Sequence, residues 1–245
     1  MITMRPSKTY MDELLNLMDD APVVTEEQAT IYLSERLGNV AHGPILRTIH
    51  RADTFKIIWR EHVRYFEEEE AKETILISRD RSVISGKRAK LFPYAFWLYL
   101  ANNNYNTPCT EAASPFCANF ELTQENNEIL MAQVAVYDCA GEDESVLGLV
   151  SKVIRYTFRL GKVWNQIDSN SMNSLPDIFW RALIFLNMPE GFLESDEFKK
   201  LQGIGFSHFF AAENYDTPPI LVAKQKDRKK AWGHFVGKSW DDFIF

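Results

Sequence analysis

The sequence predicts an α+β fold: two small packed sheets, mixed or antiparallel, with flanking helices and a helical N-terminal arm. Three observations carry that expectation. Apolar residues recur at helical spacing before the first β-favouring run. Helix-like and strand-like segments then follow without regular strand–helix–strand alternation. The chain closes on a glycine-rich turn and a strand–turn–strand pattern. The expected division is a helical arm over residues 1–42 and a single domain over residues 43–245, with a polar excursion at 102–127.

Each element has a local reason. Ser7 can cap a helix over residues 7–19, in which Tyr10, Leu14, Leu17 and Met18 share a face. After the break at Ala21-Pro-Val-Val, Thr25-Glu-Glu-Gln28 fits a capping box, and Gly38 is the expected stop of that second helix. Ile45 to Ile49 reads as a strand entered through Gly43-Pro44. Residues 54–66 read as a helix capped by Asp53, because Phe55, Ile58, Trp59, His62 (or Val63) and Phe66 recur on one face. The acidic run Glu67 to Glu70 is its solvated end. Thr74 to Ser78 is the next strand, and it runs into a basic turn, Arg79-Asp80-Arg81. The aromatic stretch Pro93 to Leu100 reads as a buried strand. Residues 102–127, rich in Asn, Thr, Pro and Ser, read as a long exposed loop.

Leu130 to Tyr137 and Val153 to Leu160 read as two further strands. Ser174-Leu-Pro-Asp opens a helix to Asn187, with proline in its first turn. Ser195 caps another helix to Gln202, which Gly203 and Gly205 end. Residues 206–212 are a strand, Asn214-Tyr-Asp-Thr-Pro-Pro a turn, and Ile220 to Ala223 the returning strand.

The 245 residues are 46% hydrophobic and 25% charged, enough apolar content for a sizeable core and against wholesale disorder. No apolar run approaches the roughly 20 residues of a membrane span, and the first residues lack the apolar centre of a secretory signal. The expectation is a cytoplasmic protein without a membrane partner, or a virion-associated one if phage-borne. Net charge is −7, which argues against diffuse attraction to nucleic acid or anionic lipid. Two basic runs stand apart from that balance: Arg79, Arg81, Lys87, Arg88 and Lys90, and Lys224, Lys226, Arg228, Lys229 and Lys230. They keep nucleic acid open as a partner. Cys109, Cys117 and Cys139 have no paired spacing, and His42, His50, His62, His208 and His234 are scattered, so no metal site is expected. No P-loop, nucleophile elbow or His-Glu-x-x-His motif occurs, and Gly203-Ile-Gly205 lacks the third glycine of a dinucleotide turn.

Four segments carry a resemblance: Arg47-Thr48, Ile77-Ser-Arg-Asp80, the stretch Leu201 to Phe209, and Glu213-Asn-Tyr-Asp. In their order they resemble the ADP-ribosyltransferase fold and, more loosely, transferase-like proteins of tailed phages. The resemblance implies NAD as substrate, with ADP-ribose passed to a macromolecular acceptor or NAD hydrolysed. It implies that Arg47 contacts the nicotinamide ribose and phosphates, and that Ser78 steadies the catalytic carboxylate. Glu213 would stabilise an oxocarbenium-like ribose as nicotinamide leaves, with Glu190 and Glu194 as alternatives. Arg79, His50, Tyr94 and Trp97 complete the expected NAD-binding set. Ala211 departs from the pattern of arginine-modifying members, which carry Glu or Gln two residues before the catalytic glutamate. The competing expectation is a non-catalytic phage virion, assembly or host-takeover protein that acts by protein–protein binding.

Overall fold

A computed structural model of the chain describes residues 9–64, 73–87, 89–102, 107–123, 129–141, 145–167, 179–202 and 206–224. The fold is α+β with two open sheets, one antiparallel and one mixed. The chain divides into two compact bodies, Met1–Glu111 with Asn214–Pro218, and Ala112–Glu213 with Pro219–Phe245.

In the first body, α1 (Tyr10–Asp20) starts at a capping box built by Thr9 and Asp12 and buries Leu14, Leu17 and Met18. Ser7 lies outside the described residues. A two-residue strand, β1 (Val24–Thr25), leads into α2 (Glu26–Arg36) through the expected box: the Gln28 amide donates to the Thr25 hydroxyl and the Thr25 amide to the Gln28 side chain, both at 3.0 Å. Gln28 also donates to the Pro93 carbonyl, 2.6 Å away. Gly38 takes the left-handed conformation, φ 88°, expected of a C′ glycine.

The next three readings are corrected. Residues 45–49 are not a strand but the middle of α3 (His42–Thr54), because the buried residues Ile45, Ile49 and Ala52 recur at helical, not alternating, spacing. Pro44 fits there because the first helical turn has no use for its amide. The helix expected over residues 54–66 does not form at 55–64: the chain turns at Phe55 to Ile58 and runs as β2 (Trp59–Arg64), and residues 65–66 lie outside the described residues. β3 (Glu73–Ser78) follows as expected, and the acidic run before it lies outside the described residues. The sheet order is β1-β3-β2, with Val24 opposite Ile77 and Trp59 opposite Ser78. After a short helix, α4 (Arg81–Ser85), the aromatic stretch forms not a strand but α5 (Phe92–Ala101), buried on every side from Phe92 to Leu100. A short strand, β4 (Thr110–Glu111), closes this part of the chain. Residues 214–218 complete the body: the Trp97 indole N–H donates to the Tyr215 carbonyl at 2.6 Å, and the Thr74 hydroxyl donates to Asp216 at 2.7 Å.

The second body holds β5 (Ala118–Thr123), β6 (Ile129–Asp138), α6 (Val146–Ile167), β7 (Phe179–Leu186), α7 (Asp196–Gln202), β8 (His208–Ala212) and β9 (Ile220–Lys224). Part of the stretch read as an exposed loop is therefore strand, since Phe120 and Leu122 of β5 alternate inward. Within the sheet β6, β7 and β8 are parallel neighbours, flanked by antiparallel β5 and β9. Parallel pairs need crossovers, and α6 and α7 supply them. Residues 153–160 are thus helical, with Val146, Leu149, Val153 and Ile154 on the core side. Residues 179–186 are a strand; the part of that expected helix before 179 lies outside the described residues. Arg181 to Leu186 are all buried, so β7 shows a continuous buried run, apolar from Ala182 onward, in place of alternation. Phe185 packs with Phe192, Phe198 and Phe209 in the core. Gly203 and Gly205 lie outside the described residues.

Candidate functional site

The candidate site grows out of one irregular turn in the first body. α3 ends at Phe55, and Lys56 follows with φ 57°, a left-handed conformation that a side chain with a Cβ adopts at a cost of about 1–2 kcal/mol. The Lys56 amide donates to the Asp53 carbonyl and the Ile57 amide to the Ala52 carbonyl, which swings the chain off the helix. It enters β2 at Trp59. Antiparallel register sets Trp59, the first residue of β2, beside Ser78, the last of β3. The residues just after Ser78 therefore meet those just before and at Trp59. Asp80 accepts from both the amide and the hydroxyl of Ser82, at 2.8 Å each, and so caps α4. These bonds hold the Asp80 carboxyl below the usual carboxylate range.

This convergence walls a cleft of about 920 Å³. On its wall the Trp59 ring has the Lys56 ammonium 5.2 Å from its centroid and the Arg81 guanidinium 5.4 Å away, both within cation–π range. Asp53 pairs with Lys56 at 3.4 Å. Arg60 also lines the cleft, but Glu26 grips it in two contacts, 2.7 and 2.9 Å. No carboxylate among the described residues pairs with Arg81. The hydroxyl-bearing Ser82 and Ser85 complete the polar wall. Asp53 and Glu61 line the cleft as well. An anion entering here is therefore met chiefly by Arg81, which has no carboxylate partner among the described residues, with the Asp53-paired Lys56 ammonium, the serine hydroxyls and the indole face around it.

The residues expected to bind NAD are placed as follows. Arg47 and His50 are exposed on α3, and the imidazole is 3.9 Å from the Glu26 carboxylate that holds Arg60. Ser78 is 2% exposed; its hydroxyl donates to the Pro22 carbonyl and accepts from the Asp80 amide. Arg79 pairs with Asp19. Tyr94 and Trp97 are buried, Tyr94 with its ring centroid 4.6 Å from that of Tyr215. None of these six lines the Trp59 cleft. Glu213, Glu190 and Glu194 are exposed residues of the second body. The site that does form uses Lys56, Trp59 and Arg81, of which the sequence pointed only to Arg81, in its basic turn. The missed signal is the interleaving of basic and aromatic residues in Arg51-Ala-Asp-Thr-Phe55-Lys-Ile-Ile-Trp59-Arg.

The second body has its own buried polar cluster. Arg181 is 1% exposed; it donates to Gln133 and Thr157 at 2.8 Å each, and its guanidinium lies 5.0 Å from the Phe116 ring centroid. Burial pulls its pKa down to about 9. These contacts tie β7 to β6 and α6, a structural role. Cys139 is half-buried, and burial with Asp138 and Glu197 nearby pushes its thiol up to about 11, away from reactivity. Among the described residues no group of His, Cys, Asp and Glu is placed to hold a metal ion, and no helix is long and apolar enough to cross a membrane. In comparison with known proteins, the chain matches no family model, no curated protein and no solved structure.

Proposed function

We propose that the first body binds a phosphate-bearing ligand of the nucleotide class in the Trp59 cleft. The observation that carries the reading is the indole flanked by Lys56 and Arg81, the latter with no carboxylate partner among the described residues. The cleft's size falls within the several hundred to about 1,000 Å³ typical of small-ligand sites. Calorimetry with ADP-ribose, NAD and inorganic phosphate tests it, with Arg81→Gln alongside. Expected is saturable binding of at least one of them, and a stabilisation of about 2.7 kcal/mol at 100 times its Kd, both lost in Arg81→Gln. Absence of binding to all three, at concentrations that saturate ordinary sites, rejects the reading.

NAD belongs to that ligand class, and Arg81 brings the strand-end stretch Thr74–Arg81 to the cleft wall. ADP-ribosyl transfer or NAD hydrolysis stands as the second reading, with Glu213 the catalytic carboxylate that the sequence resemblance implies. Nicotinamide release that Glu213→Gln abolishes would support it. Binding without release supports the alternative, a non-catalytic protein that works by holding its ligand or partner.

A further inference from the structure

We propose that the ligand of this cleft is single-stranded nucleic acid, whose backbone continues out of the cleft along α3; the proposal rests on the anion-binding reading of the Trp59 cleft. Outside the cleft, α3 and the residue capping its C-terminus present Arg47, Arg51 and Phe55, each exposed. Spaced four residues apart, they fall along one face, and a rise of 1.5 Å per residue sets neighbours about 6 Å apart, close to the spacing of successive phosphates in an extended strand. Neither Arg47 nor Arg51 pairs with a carboxylate among the described residues. Phe55 is 65% exposed, among the most exposed large apolar side chains of the described residues, with the Arg51 guanidinium 5.8 Å from its ring centroid.

The row Arg47, Arg51, Phe55 leads directly into Lys56 and Trp59. The exposed row of Arg47, Arg51 and Phe55, added to the Lys56 and Arg81 cations at Trp59, offers more contacts than one nucleotide can touch. They match the basic groove with stacking platforms that holds a single strand, whose unpaired bases offer their faces to aromatic rings. A duplex keeps those faces stacked. An anionic membrane is less suited, because the apolar face of α3, Ile45, Ile49 and Ala52, is buried inside the body, leaving Phe55 alone to insert.

The test is fluorescence anisotropy of a labelled oligothymidylate of about ten nucleotides with the full chain, between about 50 and about 200 mM salt. Thymidine monophosphate and vesicles containing phosphatidylserine are run in parallel. Four phosphate contacts predict a slope of log affinity on log salt near −3, since each contributes roughly 0.7 on a single strand. Arg47→Gln and Arg51→Gln should each flatten the slope by about 0.7, and Phe55→Ala should weaken binding about tenfold with the slope unchanged. All three variants should bind the mononucleotide as the parent does. If the mononucleotide binds but the oligonucleotide binds no tighter, or ignores these variants, the track is refuted and the cleft reading survives. If neither binds, this proposal is overturned, and the cleft reading falls with it only where ADP-ribose, NAD and inorganic phosphate also fail to bind. Vesicle binding without oligonucleotide binding would overturn the proposal in favour of a lipid surface.

Discussion

Lys56 holds a backbone conformation, φ 57°, that glycine adopts freely and lysine does not. A residue kept there at a cost, with its ammonium over Trp59, is what a binding turn requires. The cost is measurable by comparing Lys56→Gly with Lys56→Ala. Both remove the ammonium and should weaken ligand binding alike, but only glycine relieves the left-handed strain. That relief, about 1–2 kcal/mol, exceeds the extra unfolded-state entropy of glycine, about 0.4–1 kcal/mol. The glycine variant should therefore be the more stable by about 1 kcal/mol in denaturant melts, reversing the usual order of the two residues. An alanine variant that is the more stable would contradict the turn described. Cys139 gives a second residue-scale prediction. Its thiol ordinarily ionises near 9.0 and is pushed to about 11 in the fold. Alkylation by iodoacetamide should keep rising with pH up to about 11, instead of levelling near 9. The linked stability change has a definite sign. Between pH 9 and 11 the unfolded thiol releases its proton while the folded one keeps it, so this group makes the fold less stable as pH rises through that window.

At the scale of elements, the readings that held are those with a chemical marker at an end. The Thr25–Gln28 box, the Gly38 stop, Ser195 at the head of α7, and the β8–β9 hairpin were all legible because caps and turns need particular side chains. The readings that failed rest on apolar runs, and end markers did not rescue them: Asp53 and Ser174-Leu-Pro were read as opening helices over stretches that hold β2 and β7. α5 is buried all round, so its sequence carries no periodicity to separate it from a strand. β7 fails in the opposite direction: a central parallel strand buried on both faces also loses its alternation. The stretch 54–66 shows a third cause. Phe55, Ile58, Trp59 and His62 recur at helical spacing, yet the left-handed Lys56 ends α3 and starts β2, and no glycine or proline announces that break. Reading one helix through the turn also hid the site, because it spread Lys56 and Trp59 along a helix instead of folding them onto Arg81. Thr74–Arg81, by contrast, was visible as a strand ending in charge, and one of its guanidiniums does line the cleft.

At the scale of the whole molecule, the formal charge of −7 sets a local cation row against an overall field of the opposite sign. The two act over different distances and so on different rate constants. A polyanion approaching from beyond the Debye length, about 10 Å at 0.1 M salt, meets repulsion from the net charge. Once docked, it meets Arg47, Arg51, Lys56 and Arg81 at contact. Added salt screens the repulsion and so speeds encounter, while counterions compete for the docked phosphates and speed release. For a protein whose overall field attracts nucleic acid, association slows as salt rises. Here stopped-flow mixing with oligothymidylate should show an association rate constant that is flat or rises between about 50 and about 200 mM salt. The loss of affinity should then lie in the dissociation rate constant. Arg47→Gln should speed dissociation, and should slow association little. An association rate that falls steeply with salt would mean that the polyanion is gathered by a wider basic surface, and the compact row on α3 would not be what holds it.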